Sequence, residues 1–484
     1  MKSEESEKKQ FYITTTLPYV NSDPHVGFAM EIIRADIIAR WKKLQGYDVF
    51  FNTGTDEHGQ KLYDEAKKAG KGVKDYVDEY AESFKKLPKA LGVSEDIHFV
   101  RTTDIHHEKA AQEFWRRCDA EGYIYKKNYE VKYCIGCELE KTDSELVDGK
   151  CPLHPNRDIE LISEENYFFK FSAFGEKLLA FYGRNPSFVI PDFRFNEIKA
   201  FVERGLEDFS ISRLKEKMSW GVPVPGDENH VMYVWFDALV NYISTLGWPE
   251  NIDQFEKFWT QGTPVQYAGK DNLRQQSAMW QAMLMAAGLP NSKQIVINGF
   301  VTGEGGIKMS KSLGNVINPY DIVNEYGADA LRYFVAREIS TFEDSPFTME
   351  RFKDAYNAGL ANGLGNLTSR IMKMAETYGV KLENYVSKRS VAIENNIGDF
   401  NLKLAVDEIW TRIVEMDGYI QMKQPFKKIK ENPQEAKEDV LYLLGELRGV
   451  AEELKPFLPE TSEKIITLID ENKSPVSPLF LRKD

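Results

Sequence analysis

Three cysteines and a histidine of this 484-residue chain form two close pairs, Cys134-Ile135-Gly136-Cys137 and Cys151-Pro152-Leu153-His154, with thirteen residues between them. A Cys-x2-Cys and a Cys-x2-His knuckle at this spacing can set four soft or borderline ligands at the corners of a tetrahedron, which suits Zn²⁺. One compact loop supplies Cys134, Cys137, Cys151 and His154 and leaves no coordination position open, so the site reads as structural. The alternative is a chance cluster. A second constellation is cationic. Phe11–Leu17 is rich in β-branched and aromatic residues and predicts a buried strand. A polar turn, Pro18–Pro24, leads to His25-Val26-Gly27-Phe28 and then to a helical pattern carrying Ile32, Ile33, Ile37, Ile38, Trp41 and Leu44. Strand, turn and helix N-terminus together present free N–H groups and a favourable dipole to an anion. His25 can donate to a phosphate oxygen there, and Gly27 lets a flat ring approach the backbone. An ordinary strand–helix unit with a surface histidine would read the same on this stretch alone. The second segment favours phosphate: Lys308-Met309-Ser310-Lys311-Ser312 follows a strand, Gln294–Val301, and a glycine-rich turn. Two lysines three apart on a loop can reach phosphates as it closes.

Composition bounds the rest. The length predicts two or three domains, and 42% hydrophobic residues are ample for large cores. A net charge of −13 argues against non-specific coating of nucleic acid, so an RNA partner would need local basic patches. Four cysteines, three of them beside a histidine, suggest metal in a reducing compartment and not a disulfide framework. Met1–Gln10 is charged and is no signal peptide. No apolar run of about 18 residues is present, and the expectation is a soluble cytoplasmic protein.

The elements that must position these residues follow a pattern. Asp48–Thr53 reads as a second parallel strand ending in Gly54-Thr55-Asp56-Glu57-His58-Gly59. Ligands of open parallel sheets bind outside the carboxyl ends of strands, so Asp56 and His58 should lie near a pocket; an Asp capping the next helix is the plainer reading. Tyr63–Leu91 and Asp104–Glu121 read as helices, and Tyr125–Tyr133 as a strand before the knuckle. Phe168–Ala180 and Ile198–Glu203 read as helical pieces, Met232–Phe236 as a strand feeding a helix over Asp237–Leu246, and Val265–Gly269 as a strand before the helix Arg274–Ala287. From Thr348 the strands stop, and Met349–Tyr378, Phe400–Met422, Pro433–Lys455 and Glu460–Ile469 are helical by period. The predicted fold is α/β, a doubly wound parallel (Rossmann-like) sheet split by a zinc-knuckle insertion, followed by a C-terminal α-helical bundle. The expected domains are residues 1–115 and 213–347 for the two halves of the sheet domain, 116–212 for the insertion and 348–484 for the bundle.

The first motif at His25 and Gly27, with the lysine loop at all five positions, resembles the two signatures of class I aminoacyl-tRNA synthetases. The chain is similar to their methionine-specific branch over nearly its full length, through Thr16–Tyr19, Gly54–Gly59, the knuckle, Asp208–Arg213, Tyr233–Leu239, Gly269-Lys270-Asp271 and Lys308–Ser312. The resemblance implies an enzyme that activates methionine with ATP, accompanied by Mg²⁺, and passes it to tRNA(Met). It implies a methionine pocket of Thr16, Leu17, Tyr19, Asp56, Trp235, Ala238 and Tyr242, with Asn272 and Gln276 where the family usually has Ile and His. A thioether packs well on aromatic rings, and Asp56 would pair with the substrate ammonium. Core packing is the plainer reading of Trp235 and Tyr242. His25, Gly27, Gly269, Asp271, Lys308 and Lys311 would hold ATP, with His25, Lys308 and Lys311 on its phosphates, and Arg213, Lys270 and Asp271 would lie near the reacting groups. Phe28 stands where the family usually has a second His and has no polar hydrogen to donate.

The resemblance further implies a bundle that reads the anticodon through Asn366, Arg370 and Phe426, the last in place of a stacking Trp. Lys423, Lys427, Lys428 and Lys430 beside it form a basic patch or a solvated helix face. The short remainder after the bundle predicts a monomer. Two other readings compete: a synthetase for another small apolar amino acid, which the compact insertion disfavours because editing domains are large, and a synthetase-derived RNA-binding protein without activity.

Overall fold

The computed structural model describes residues 8–307, 309, 315–386 and 389–484. The chain divides into two compact units: Met1–Pro24, Gly46–Lys86 and Asp96–Ile297 form the first, and His25–Gln45, Leu87–Glu95 and Asn298–Asp484 the second.

The first unit is built on a six-stranded sheet. Its order in space is His98–Arg101, Asp48–Thr55, Gln10–Thr15, Thr263–Gly269, Gln294–Asn298 and Val189–Ile190. The first strand lies in the middle and pairs in parallel on both sides, with Thr14 opposite Asn52 and Thr15 opposite Tyr267. Phe11, Tyr12 and Ile13 are all buried, the pattern of a strand covered on both faces. The chain builds outward to one side with its second and third strands and returns on the other side with Thr263–Gly269. The order therefore reverses between Gln10–Thr15 and Thr263–Gly269, and ligand crevices form at such a switch point, beyond the carboxyl ends of the strands.

The helix Ile105–Ala120 buries His107, Ala110, Ala111, Phe114, Trp115 and Cys118, a stripe at three- and four-residue spacing. Phe114 stacks on Trp280 with ring centroids 5.5 Å apart, inside a core that also holds Phe236, Trp248 and Trp259. His107 is hydrogen-bonded through Nδ1 to Ser244 Oγ at 3.0 Å. Burial, then the neighbouring His58 and His106, pushes its ring down to about 3. The unfolded chain takes up a proton at this residue below about pH 6.5 while the folded chain does not, so stability falls as pH falls through that window. Between pH 6.5 and 5 the chain loses about 2 kcal/mol on this account. Chemical-denaturation midpoints measured at the two pH values should show this loss, and His107→Gln should remove most of it.

The insertion is a four-stranded antiparallel sheet in the order Leu139–Lys141, Ile124–Cys134, Glu160–Phe169 and Phe209–Ser210. Ile124 pairs with Phe169 and Tyr133 with Glu160. The helix expected over Phe168–Ala180 is thus corrected: the strand runs to Phe169 and the helix is Gly175–Arg184. Glu160, Glu164 and Glu165 hide this strand, because carboxylates are depleted in strands. The strand expected over Met232–Phe236 ends at Met232, and Val234–Ala238 is helical. The long helix expected over Tyr63–Leu91 is two, Gln60–Lys68 and Val73–Ala90.

The second unit carries the helix Val26–Leu44 together with the helices Asn366–Tyr378, Leu402–Lys423, Pro433–Leu454 and Pro459–Glu471. Its buried charges tie distant segments. Asp36 accepts from Arg40 at 2.8 Å and from the Ser94 N–H and hydroxyl at 3.0 and 2.9 Å, and pairs with Arg332 at 2.8 Å. Arg332 also donates to the carbonyls of Phe457 and Pro456, each at 2.8 Å. Arg34 donates to the carbonyls of Val335, Ile339, Ser340 and Thr341. Among the described residues no helix is long and apolar enough to cross a membrane.

Candidate active site

At the carboxyl end of Asp48–Thr55, Asp56 is locked to the turn that follows the first strand. Its N–H donates to Pro18 O at 2.9 Å, and Val20 N–H donates to its carbonyl at 3.4 Å. Its side chain takes the His58 N–H and does not cap the next helix, which begins at Gln60 behind Gly59 without a side-chain cap. Asp56 is 2% exposed, and its Oδ1 has no hydrogen-bond partner among the described residues. Burial, then the carboxylates of Asp237 and Glu138, holds its carboxyl well above the usual range. A lone carboxylate is disfavoured in such a place, and a cation brought to it would reverse the balance.

The loop around Asp56 is held by several hydrogen bonds. Glu57 accepts a fork from Arg101 at 2.6 and 2.7 Å and a bond from the Thr55 hydroxyl at 2.6 Å. Trp220 Nε1–H donates to Glu57 O at 2.6 Å. His58 and Asp237 form a buried pair at 2.7 Å. Burial opposes charge on His58, but the Asp237 carboxylate outweighs it and raises the ring above its ordinary value. The Asp237 partner has no signal in the sequence, since the two residues are far apart in the chain.

Glu138, which sequence reasoning passed over, stands at the centre of the neighbourhood. Its Oε2 accepts from the Tyr19 hydroxyl at 3.0 Å and its Oε1 from Lys61 N–H at 2.8 Å. Its carbonyl accepts from Trp235 Nε1–H at 3.2 Å. Burial pushes its carboxyl up to about 7. Gly59 has φ +114, and a Cβ there would lie 2.6 Å from Glu138 Oε2. The only available signal was an acidic residue directly after the second knuckle cysteine. Tyr19 and Trp235 stand edge-on with centroids 6.5 Å apart, in a small apolar cluster with Tyr133, Ile135, Tyr233, Val234 and Ala238. Arg213 lies against the rings of Tyr133 and Tyr233, at 4.9 and 4.5 Å, and donates to Ser210 Oγ and Ser212 O.

Tyr242 belongs instead to the main core of the first unit. Its hydroxyl accepts from Gln276 Nε2 at 2.7 Å, Gln276 Oε1 accepts from Gln266 at 2.6 Å, and the Tyr242 carbonyl accepts from the Tyr12 hydroxyl at 2.9 Å. Gln276 is therefore a buried, bonded strut. Thr16 and Leu17 are half-buried beyond the first strand, and Gly269 is buried at the end of Thr263–Gly269. On the turn Lys270–Asn272, Asn272 donates to the Asp271 carboxylate at 3.2 Å.

The knuckle residues converge. The ligand atoms of Cys134, Cys137, Cys151 and His154 lie within 4.8 Å of one another, with Cys137 Sγ 3.4 Å from Cys151 Sγ and 3.2 Å from His154 Nδ1. Tetrahedral zinc with sulfur ligands at about 2.3 Å places neighbouring donors about 3.5–3.8 Å apart, so this donor set fits Zn²⁺ and closes its coordination. A Cβ on Gly136 would meet the His154 ring at 2.5 Å. Purified protein should hold about one zinc per chain by elemental analysis, and Cys137→Ser should lose it.

In the second unit His25 caps Val26–Leu44. Its Nδ1 accepts from Gly27 N–H at 3.0 Å, so the neutral ring carries its proton on Nε2. Phe28 stacks on it, centroids 4.2 Å apart, and fixes the ring plane; that is its visible role in place of a second histidine. Val26 N–H donates to Ile317 O at 3.1 Å, just beyond the lysine loop. Lys308 and Lys311 themselves lie outside the described residues. Asn366 is exposed, and Arg370 pairs with Asp417. Phe426 is 43% exposed with Lys427 6.0 Å from its ring, whereas Lys428 is held by Glu435 and Asp439.

A sequence profile described as tRNA synthetases class I (M) matches residues 11–160 and 155–372. The chain is 42% identical over 475 residues to the methionine--tRNA ligase of Caldanaerobacter subterraneus subsp. tengcongensis, covering 95% of this chain and 73% of that protein. It is 39% identical over 491 residues to that of Streptomyces coelicolor, covering 96% and 90%. Among solved structures, Mycobacterium tuberculosis methionyl-tRNA synthetase in complex with methionyl-adenylate matches with a TM-score of 0.87 at 35% identity, over 98% of this chain and 99% of that one. With the switch-point crevice, the Asp56 loop and the closed knuckle on a single scaffold, this chain belongs to the methionine family of class I tRNA synthetases.

Proposed function

We infer that this chain is an ATP-dependent methionine--tRNA ligase, which activates methionine as the adenylate and transfers it to tRNA(Met). The observation that carries the amino-acid end is the buried Asp56 oxygen with no partner among the described residues, set among further carboxylates beside the edge-on pair Tyr19 and Trp235. That arrangement suits a molecule with an ammonium group at one end and a polarizable apolar chain at the other. In this reading Asp56 takes the ammonium, Tyr19, Trp235, Ala238, Thr16 and Leu17 surround the thioether, and Gln276 keeps the Tyr242 hydroxyl directed, with Asn272 at the rim.

The reaction is an in-line attack of the methionine carboxylate on the α-phosphate of ATP, with pyrophosphate leaving. Positioning and charge stabilisation do most of the work. His25 presents its Nε2–H to a phosphate oxygen from the helix mouth, and Gly27, Gly269 and Asp271 shape the nucleotide site. Lys308 and Lys311 meet the phosphates, while Arg213 and Lys270 supply positive charge near the reacting groups. Mg²⁺ accompanies the nucleotide and needs no protein cage. Zinc holds the knuckle.

The bundle, residues 348–484, reads the anticodon: Asn366 and Arg370 by edge hydrogen bonds and Phe426 by stacking. Residues 1–115 and 213–347 form the catalytic domain and 116–212 the connective insertion. The protein works in the cytoplasm as a monomer; a light-scattering mass near 55.6 kDa supports this, and twice that overturns it. ATP–pyrophosphate exchange tests the activity, with methionine run beside isoleucine, leucine, valine, cysteine and no amino acid. Exchange with methionine alone supports the reading, exchange with another amino acid moves the substrate, and none from folded, zinc-loaded protein overturns it.

A further inference from the structure

We propose that Glu138 is the positioning residue of the amino-acid pocket, one residue that holds both aromatic walls, Tyr19 through its carboxylate and Trp235 through its main-chain carbonyl. The inference rests on the methionine reading above and adds to it a residue and a role.

Three donors from three separate stretches converge on Glu138: the Tyr19 hydroxyl, the Lys61 main-chain N–H and the Trp235 indole N–H. None is a sequence neighbour, so the convergence is tertiary. Glu138 is 0% exposed, and burying a carboxyl group costs free energy unless hydrogen bonds offset it. Its φ of 50° lies in the left-handed region, which glycine adopts at less cost. What glutamate contributes there beyond glycine is therefore its side chain, and that side chain is spent on Tyr19 and Lys61.

The position in the chain adds a second element. Glu138 directly follows Cys137, and Gly59 gives way to its carboxylate. It is thus braced on one side by the knuckle and on the other by the loop that carries Asp56. A tyrosine tethered at its hydroxyl and a tryptophan tethered at its nitrogen keep their rings at a set separation. An unbranched thioether packing against this edge-on pair meets rings already held in place, and less binding energy goes to ordering side chains. Without the tether, Tyr19 regains rotamer freedom, and the cost appears in methionine binding and not in the handling of ATP.

The test uses the full-length, zinc-loaded protein. Methionine Kd by calorimetry and KM values for methionine and ATP in pyrophosphate exchange are measured for Glu138→Ala, Glu138→Gln, Tyr19→Phe and the double variant Tyr19→Phe/Glu138→Ala. Glu138→Ala should raise methionine Kd and KM about tenfold, the scale of a lost hydrogen bond to a charged group, with the KM for ATP within about twofold of the unmodified value. Glu138→Gln keeps one acceptor oxygen and should recover part of the loss. Tyr19→Phe removes the same bond from its other end, so the double variant should be no weaker than the weaker single one. Unchanged methionine affinity in Glu138→Ala overturns the proposal. So do a parallel rise in the KM for ATP, zinc loss that accompanies the affinity loss, and single effects that multiply in the double variant. If Glu138→Ala does not fold, Tyr19→Phe decides, and an unchanged methionine Kd there overturns it. An unmodified protein that binds no methionine rejects the functional reading, whereas one that binds it as tightly as Glu138→Ala does rejects the tether alone.

Discussion

Replacing Asp56 with asparagine should remove methionine-dependent pyrophosphate exchange and leave the protein as stable as before, or more so. The two halves of this outcome share one cause. Asp56 Oδ1 is buried with no partner among the described residues, and Asp237 and Glu138 add negative charge nearby. Its carboxyl is consequently held well above the ordinary value. Folding favours the protonated form, so an ionised Asp56 subtracts stability as pH rises through the unfolded carboxyl value of about 3.9 and on up to the folded one. Asparagine removes that penalty while keeping the shape. The bound substrate reverses the sign, because an ammonium group against a buried carboxylate is a charge-assisted pair in a medium of low polarity. Removing one partner of such a pair costs about 3–5 kcal/mol, or roughly two to four orders of magnitude in kcat/KM. The check is a melting curve at pH 8 beside exchange kinetics. An Asp56→Asn protein that melts lower and still activates methionine normally would show that Asp56 is a structural residue.

The largest effect on stability is expected at Arg332. Arg332→Met should lower the unfolding free energy by about 3–5 kcal/mol. Arg332 and Asp36 are both fully buried. Burial works against the Asp36 carboxylate, but the guanidinium groups of Arg332 and Arg40 hold its carboxyl below the usual range. Removing Arg332 leaves that carboxylate with Arg40 and Ser94 alone and strips the donors from the carbonyls of Phe457 and Pro456. The uncompensated charge, more than the lost pair, sets the size of the effect. Asp36→Asn combined with Arg332→Met should recover part of the loss, since the buried charge is then gone. Denaturant midpoints of the two single variants and the double variant measure this directly. A single variant within about 1 kcal/mol of the unmodified protein would mean that Arg40 and Ser94 suffice for Asp36.

These two sites also show where sequence reasoning ends. The knuckle ligands were legible because metal chemistry imposes short, local spacing, and Cys134, Cys137, Cys151 and His154 do meet. Four of the six parallel strands were legible from their apolar runs, and the bundle helices from their period, whereas His98–Arg101 and Val189–Ile190 are too short to carry such a run. The strand Glu160–Phe169 was not, because its carboxylates broke the alternation. The pairing of polar groups was less legible still. Tyr19 and Glu138 are 119 residues apart and His58 and Asp237 are 179 apart, so nothing in local composition links them.

Residue types and their spacing were enough to specify a metal knuckle, a strand–turn–helix unit at His25, a split parallel sheet and a helical C-terminal region. They did so because burial, helical period and ligand spacing are local properties of a chain. Which buried acid receives hydrogen bonds and which is left without a partner depends on the order of strands in the sheet and on where the insertion folds back. Glu138 collects three donors, and Asp56 keeps one oxygen without any among the described residues. That difference exists only once distant segments have been brought to the same end of the sheet.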